Sequence, residues 1–326
     1  MRRRDFLKWQ MSGALWLAAG AGLSAAPPAL SPLSFLLRGP GEAQAAQTAT
    51  GETDGTPDVA VVKGAPAAAT HACVGMLGGM GRFVKTGQKV VIKPNMSFAS
   101  AASLGTNTHP EVVAALVRMC RDAGAASVLV LDNPLAPAEQ CIARSGIRVA
   151  CAEFGDIVQA PTAERFYREL DIDGAQQMTA NTFMRDALDA DVLIAAPTAK
   201  SHSSTGVSLG LKGMMGLIRQ RGVMHSRYDL DTAIVDLNTR LRAALTVIDG
   251  TYVLSTGGPG GPGKVLQENT VIASADPVAA DACAVESFEW YGRRFAARQV
   301  SHIRLAHERG LGSMDLAARA ITRITL

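Results

Sequence analysis

The run Lys89-Val90-Val91-Ile92-Lys93-Pro94-Asn95, then residues 110–123, then Ser127-Val128-Leu129-Val130-Leu131-Asp132, decides the fold class. The outer two pieces are short and largely apolar rather than alternating, the pattern of strands covered on both faces. The middle piece reads as a helix, with Thr108 placed to cap it, Pro110 in its first turn and Gly124 to stop it. Strand, helix and strand in this order predict two parallel strands joined by a crossover helix.

Outward from this unit the pattern recurs. Strands are expected at 59–63, 191–196, 245–249 and 270–274, and helices at 231–244 and 277–288. The whole is an α/β fold, a mostly parallel sheet with helices on both faces, expected as a single domain over residues 58–326. Polar residues stand where the strands stop. Lys93 and Asn95 follow the second strand, Asp132 the third, Lys200 and His202 the fourth, Asp249 the fifth and Asp276 the sixth. In open parallel sheets such ends converge on one edge, so the site is expected at the C-terminal strand ends.

Several segments offer chemistry there. Lys200-Ser201-His202-Ser203-Ser204-Thr205-Gly206 combines ammonium, imidazole and hydroxyl groups. It can hold an anion or place a base, or be a solvated loop. Residues 207–221 read as a glycine-rich helix in which Ser208, Gly210, Gly213 and Gly216 permit close approach of backbone or ligand. Lys212, Arg219, Arg221, His225 and Arg227 make this region basic, which invites a carboxylate or phosphate. The plainer alternative is a packed helix with Met214 and Met215 in the core. Residues 256–263, Thr-Gly-Gly-Pro-Gly-Gly-Pro-Gly, match neither glycine motif for phosphates and read as a flap over the site or a linker. Asp276, before Pro277, is an expected N-cap. Together with Asp281 it is also the candidate set for a divalent metal, with Asp132 and Asp249 as further carboxylates.

Composition narrows the partners. Arg2, Arg3, Arg4, Lys8 and Arg38 against Asp5 and Glu42 account for the whole formal charge of +3, so residues 46–326 are neutral. That removes any charge-based case for nucleic acid or an anionic membrane as partner. A hydrophobic content of 48% is ample for a buried core. The five cysteines, Cys73, Cys120, Cys141, Cys151 and Cys283, form no Cys-x-x-Cys and no zinc spacing. They are expected as buried small apolar residues, with no ferredoxin-type iron–sulfur motif in the chain. At the front, Arg3-Arg4-x-Phe6-Leu7-Lys8 is the full twin-arginine pattern. An apolar stretch from Ser12 to Leu37, broken by glycine and proline, and then Ala43-Gln44-Ala45 follow it. Residues 1–45 are expected to be a twin-arginine signal peptide, cleaved or kept as an anchor, and 46–57 a flexible mature N-terminus. Passage through the twin-arginine translocase implies a periplasmic or otherwise extracytoplasmic location.

An ordered set of motifs spans most of the chain. It comprises Lys93-Pro94-Asn95, Asn107-Thr108-His109-Pro110-Glu111-Val112-Val113, Asp189-Ala190-Asp191-Val192-Leu193-Ile194, Lys200-x-His202, Leu211-Lys212-Gly213-Met214-Met215-Gly216, Arg221-x-x-x-His225, Asp249-Gly250 and Asp276-Pro277-Val278-Ala279-Ala280-Asp281. This set resembles the prokaryotic family called domain of unknown function 362. The resemblance implies a fold and a set of candidate residues rather than a reaction. Members commonly show Pro-Lys-x-Lys-x-His where this chain has Pro197-Thr198-Ala199-Lys200-Ser201-His202, and Lys-Asn where it has Lys212-Gly213.

The functional expectation is an envelope protein that binds a small anionic metabolite or cofactor. Lys93, Asn95, Lys200, Arg221 and Asp249 would bind it, with His202, His225 and Lys212 as catalytic groups of an isomerase or oxidoreductase served by an envelope redox partner. The alternative is a non-catalytic solute- or cofactor-binding protein using the same lysines, and the plainest is a scaffold.

Overall fold

The computed structural model describes residues 55–326; the expected signal and most of the expected N-terminal stretch lie outside them. The described strands are β1 (Val59–Lys63), β2 (Lys89–Pro94), β3 (Ser127–Leu131), β4 (Val158–Gln159), β5 (Tyr167–Asp171), β6 (Ala180–Met184), β7 (Val192–Ala196), β8 (Thr198–His202), β9 (Gly206–Ser208), β10 (Leu245–Leu254), β11 (Val265–Ser274) and β12 (Ile321–Thr325). Helices of six residues or more are α1 (Pro66–Met76), α2 (Pro110–Asp122), α3 (Ala138–Ser145), α4 (Gly222–Arg227), α5 (Leu230–Arg240), α6 (Pro277–Ser287) and α7 (Ser301–Glu308).

The main sheet runs β12-β1-β11-β10-β7-β2-β3-β4, with β8 and β9 branching from β10. From β10 through β7, β2 and β3 to β4 every pairing is parallel. The inner strands alternate between two cores. Val91, Leu193 and Ile248 face a core shared with α5, α6 and α7. Val90, Ile92, Val130, Ile194 and Val247 face the other, with Val74, Val112, Leu116 and Val117 of α1 and α2. Both faces are therefore covered by helices, as the unbroken apolar runs predict. The five cysteines are buried and free. Among the described residues, no helix is long and apolar enough to cross a membrane.

Three local expectations are corrected. First, β11 is antiparallel to both β10 and β1, and its last residue, Ser274, pairs with Thr246 and Val59 at the beginnings of those strands. The end of β11 therefore lies on the opposite edge of the sheet from the ends of β2, β3, β7 and β10. Second, residues 207–221 are not one helix. They break into β9, a single turn at Gly210–Gly213 and a 3-10 turn at Met214–Leu217. Each interior glycine costs about 1 kcal/mol of helix stability relative to alanine, and this segment carries several. Third, α2 is capped by His109, whose Nδ1 accepts from the Glu111 N–H at 3.3 Å. The Thr108 hydroxyl is engaged elsewhere: it accepts from the Asn95 N–H (2.8 Å) and donates to the Ala196 carbonyl (2.7 Å).

Candidate functional site

Register puts the strand ends side by side, Lys93 opposite Ala195 and Asp249 opposite Thr198. Short polar staples hold the loops that leave them. The Asn95 side-chain carbonyl accepts from the Thr198 N–H at 2.9 Å. Asp249 accepts from the backbone N–H of His109 (2.7 Å) and of Thr251 (2.9 Å), although burial pushes its pKa up. These two residues tie β2, β8, β10 and the start of α2 together. Their expected ligand-binding role is thus accompanied by a framework role that a strand-end position alone does not reveal.

Cations gather beside the staples. Lys93 forms an ion pair with Asp132 at 3.1 Å, both buried, and also donates to the Pro94 carbonyl. Burial pulls the Lys93 pKa down, against the opposing pull of Asp132. Asp132 is in turn held by the Met96 N–H (2.9 Å) and the Ser97 hydroxyl (3.0 Å). Lys200 donates to the Thr106 carbonyl at 2.6 Å and its ammonium lies 4.9 Å from the centre of the Phe98 ring. Among the described residues, the hydrogen-bond partner of Lys212 is the Met215 sulfur alone, at 3.5 Å. Arg221 donates to the Asn133 carbonyl. Burial pushes Lys200 and Lys212 down to about 7; Lys93, Lys212 and Arg221 lower Lys200 further, and Arg221 lowers Lys212. In this cluster Asp132 is the carboxylate at ion-pair distance, and Lys93 already holds it.

His202 and His225 stack with ring centres 6.0 Å apart and planes 19° apart. His202 is buried, and its pKa is pushed down to about 2 by burial and then by Lys212, His225 and Lys200. Partial burial, then Lys212 and Arg221, lower His225 as well. The Ser204 N–H points into His202 Nδ1 at 3.1 Å. Nδ1 is therefore an acceptor, and the proton of the neutral ring sits on Nε2. That tautomer makes Nε2 of His202 a hydrogen-bond donor rather than a base or metal ligand.

The residues that hold this site were not all legible in advance. Tyr291, in left-handed backbone at φ 53°, uses its hydroxyl to accept from the His202 N–H (3.1 Å) and faces the carbonyls of Gly206 (2.9 Å) and His202 (3.1 Å). The segment 256–263 packs against Ser201 and Phe98. Gly258 N–H donates to the Ser201 hydroxyl at 2.9 Å, and a Cβ on Gly260 would meet the Phe98 ring at 2.8 Å. Nothing in the local sequence of Tyr291 marks it; the glycine run signalled close approach but not its target.

The expected metal carboxylates are placed otherwise. Asp276 lies on the opposite edge, caps α6 through the Val278 and Ala279 N–H groups, and pairs with Arg319 at 2.9 Å. Asp281 is fully buried and accepts from the Gly210 (2.7 Å) and Leu211 (2.9 Å) N–H groups, holding the turn that carries Lys212. Burial pushes Asp281 up to about 7. Among the described residues, no group of three or more His, Cys, Asp or Glu side chains stands ready to hold a metal ion. A divalent cation among the lysines would also be repelled by them. The residues do not fit the expected metal.

Residues 90–286 match the model of the family described as Domain of unknown function (DUF362), and the chain belongs to that family. A thylakoid-associated protein of Synechocystis sp. is 28% identical over 214 residues, which cover 63% of this chain and 64% of that protein. The chain thus matches less than two thirds of that relative's length. Among solved structures, a protein from Thermotoga maritima aligns at TM-score 0.36 and 15% identity over 59% of this chain and 52% of its own. The lactate racemase apoprotein from Thermoanaerobacterium thermosaccharolyticum aligns at TM-score 0.40 and 11% identity over 69% and 56%.

Proposed function

We propose that the protein binds a small anionic metabolite or cofactor, a carboxylate or phosphate, at the sheet edge. Lys200, Lys212 and Arg221 supply its charge complement and His202 Nε2–H a neutral hydrogen bond. The observation that carries this reading is the excess of buried cations over carboxylate. Buried charges without partners are costly, and an anion that desolvates with them repairs the deficit. If the ligand is also turned over, as an isomerase or oxidoreductase would do, the proton carriers are Lys200 and Lys212. Groups with pKa values near the working pH suit proton transfer, whereas His202 already carries its proton on the ring nitrogen that is free of Ser204.

Isothermal titration with inorganic phosphate, oxalate and malonate tests the binding. Each of Lys200→Met and Lys212→Met is expected to weaken the best of the three by about 10- to 100-fold, since charge-assisted hydrogen bonds contribute about 1.5–3 kcal/mol. Unchanged affinity in both variants would refute the reading. The same proposal places the protein outside the cytoplasm. Its support is the twin-arginine pattern at residues 3–8, and fractionation of cells expressing the chain with Arg3→Lys and Arg4→Lys tests it.

A further inference from the structure

The turn between β8 and β9 borders a pocket. Ser204, Thr205, Asp231, Tyr291, Arg293 and Ser301 are among the residues lining a cavity of about 350 Å³. That is near the lower end of ligand-site volumes, about 300–1,000 Å³, and suits a molecule of a few heavy atoms. Its wall brings together the β8–β9 turn, the first turn of α5, the segment after α6 and the start of α7.

Two charges of opposite sign face this cavity without meeting each other. Asp231 uses Oδ1 to accept from the His302 N–H (3.2 Å) and from His302 Nδ1 (3.0 Å). His302 is fully buried, and burial lowers its pKa against the opposing pull of Asp231, so the ring is neutral and leaves the Asp231 charge in place. Its Nε2 has no partner, as expected of the ring nitrogen without the proton. Lys212 acts on Asp231 from beyond ion-pair distance. Arg293 is exposed at the cavity wall, and among the described residues its guanidinium has no ion-pair or hydrogen-bond partner. Ser204, Thr205, Tyr291 and Ser301, all hydroxyl-bearing, line the same cavity.

We propose that this cavity binds a zwitterion of the α-amino acid class, its ammonium on Asp231 and its carboxylate on Arg293. One ligand bearing both charges satisfies two protein groups that do not satisfy each other, and the Ser204 and Ser301 hydroxyls take its remaining hydrogen bonds. The occupant would touch Ser204 and Tyr291, the two residues whose backbone N–H and hydroxyl hold His202. The proposal stands apart from the anion site and does not rest on it.

The test is isothermal titration of the full chain with each of the common L-amino acids, repeated on Asp231→Asn and Arg293→Ala. Asparagine keeps the acceptor for His302, and Arg293 is exposed and unpartnered, so that variant folds whatever becomes of the first. At least one amino acid is expected to bind. Arg293→Ala should weaken it by about fivefold, the worth of a solvent-exposed pair, and Asp231→Asn by about tenfold or more. The matching amine without its carboxylate, and the acid without its amine, should each bind more weakly than the amino acid. No binding by any amino acid at millimolar concentration overturns the proposal. So does an affinity that Arg293→Ala leaves unmoved, or an amine or acid that binds as tightly as the zwitterion.

Discussion

Gly216→Ala should be among the most damaging single-methyl additions in this protein. Gly216 lies in the 3-10 turn Met214–Leu217, and a Cβ there would overlap the Asp132 carboxylate and the end of the Lys93 side chain. Neither can step aside easily. Asp132 is held by Met96 and Ser97, and Lys93 is 2% exposed, with no solvent to swing into. If the pair is forced apart, breaking a buried ion pair costs about 3–5 kcal/mol. If the turn retreats instead, overpacking costs about 1–3 kcal/mol, and the 2.8 Å hydrogen bond from Asn133 N–H to the Gly216 carbonyl adds about 1 kcal/mol. Against either stands a gain of about 0.4–1 kcal/mol from the stiffer unfolded chain. The net expectation is a loss of about 1–5 kcal/mol, read from urea denaturation at unchanged m. Gly75→Ala in α1 is the control: a Cβ there meets nothing within 4 Å, so it should be neutral or slightly stabilising. A Gly216→Ala loss below about 1 kcal/mol would show that the Lys93–Asp132 pair is looser than its packing implies.

Other consequences follow from the same site. Anion binding should depend on pH through Lys200 and Lys212, whose burial-depressed pKa values of about 7 mean that both carry charge below that point. Oxalate affinity should be full below pH 7 and fall as pH rises, by up to about tenfold per lysine per unit, with proton uptake seen as a buffer-dependent binding enthalpy; a flat profile from pH 6 to 9 counts against the lysines. Without ligand the sign reverses. Between about 7 and the ordinary lysine value the unfolded chain holds protons the folded chain lacks, so these two lysines make the apo protein more stable with rising pH, measurable as the urea midpoint. Asp281→Ala should strand the Gly210 and Leu211 N–H groups, cost about 2–5 kcal/mol, and weaken oxalate binding through the Lys212 turn; a loss of stability without a matching loss of affinity would separate the two roles. Tyr291→Phe should weaken oxalate binding by releasing the backbone around His202, with little effect if that tyrosine only packs.

Local pattern carried a large part of the architecture. The apolar runs around Val91, Val130 and Ile194 marked buried parallel strands because a strand covered on both faces has no solvent side to show. Lysines and an asparagine after those runs marked the edge of the sheet at which the parallel strands end together. The direction of β11 was not readable, because direction is set by the partner across the sheet and its apolar run looks the same either way. That one reversal moved Asp276 to the far edge and made it a cap. Likewise, sequence could place His202 at a strand end, but only the fold brought the Ser204 N–H onto Nδ1 and so assigned its proton. Asp231 and His302 lie far apart along the chain, and only tertiary packing sets them 3.0 Å apart. Side-chain type and strand period are local properties and are written along the chain. Charge state and the edge on which a carboxylate lies depend on neighbours distant in sequence, and the His202 tautomer on the backbone geometry of the turn at Ser204; these only the folded structure decided.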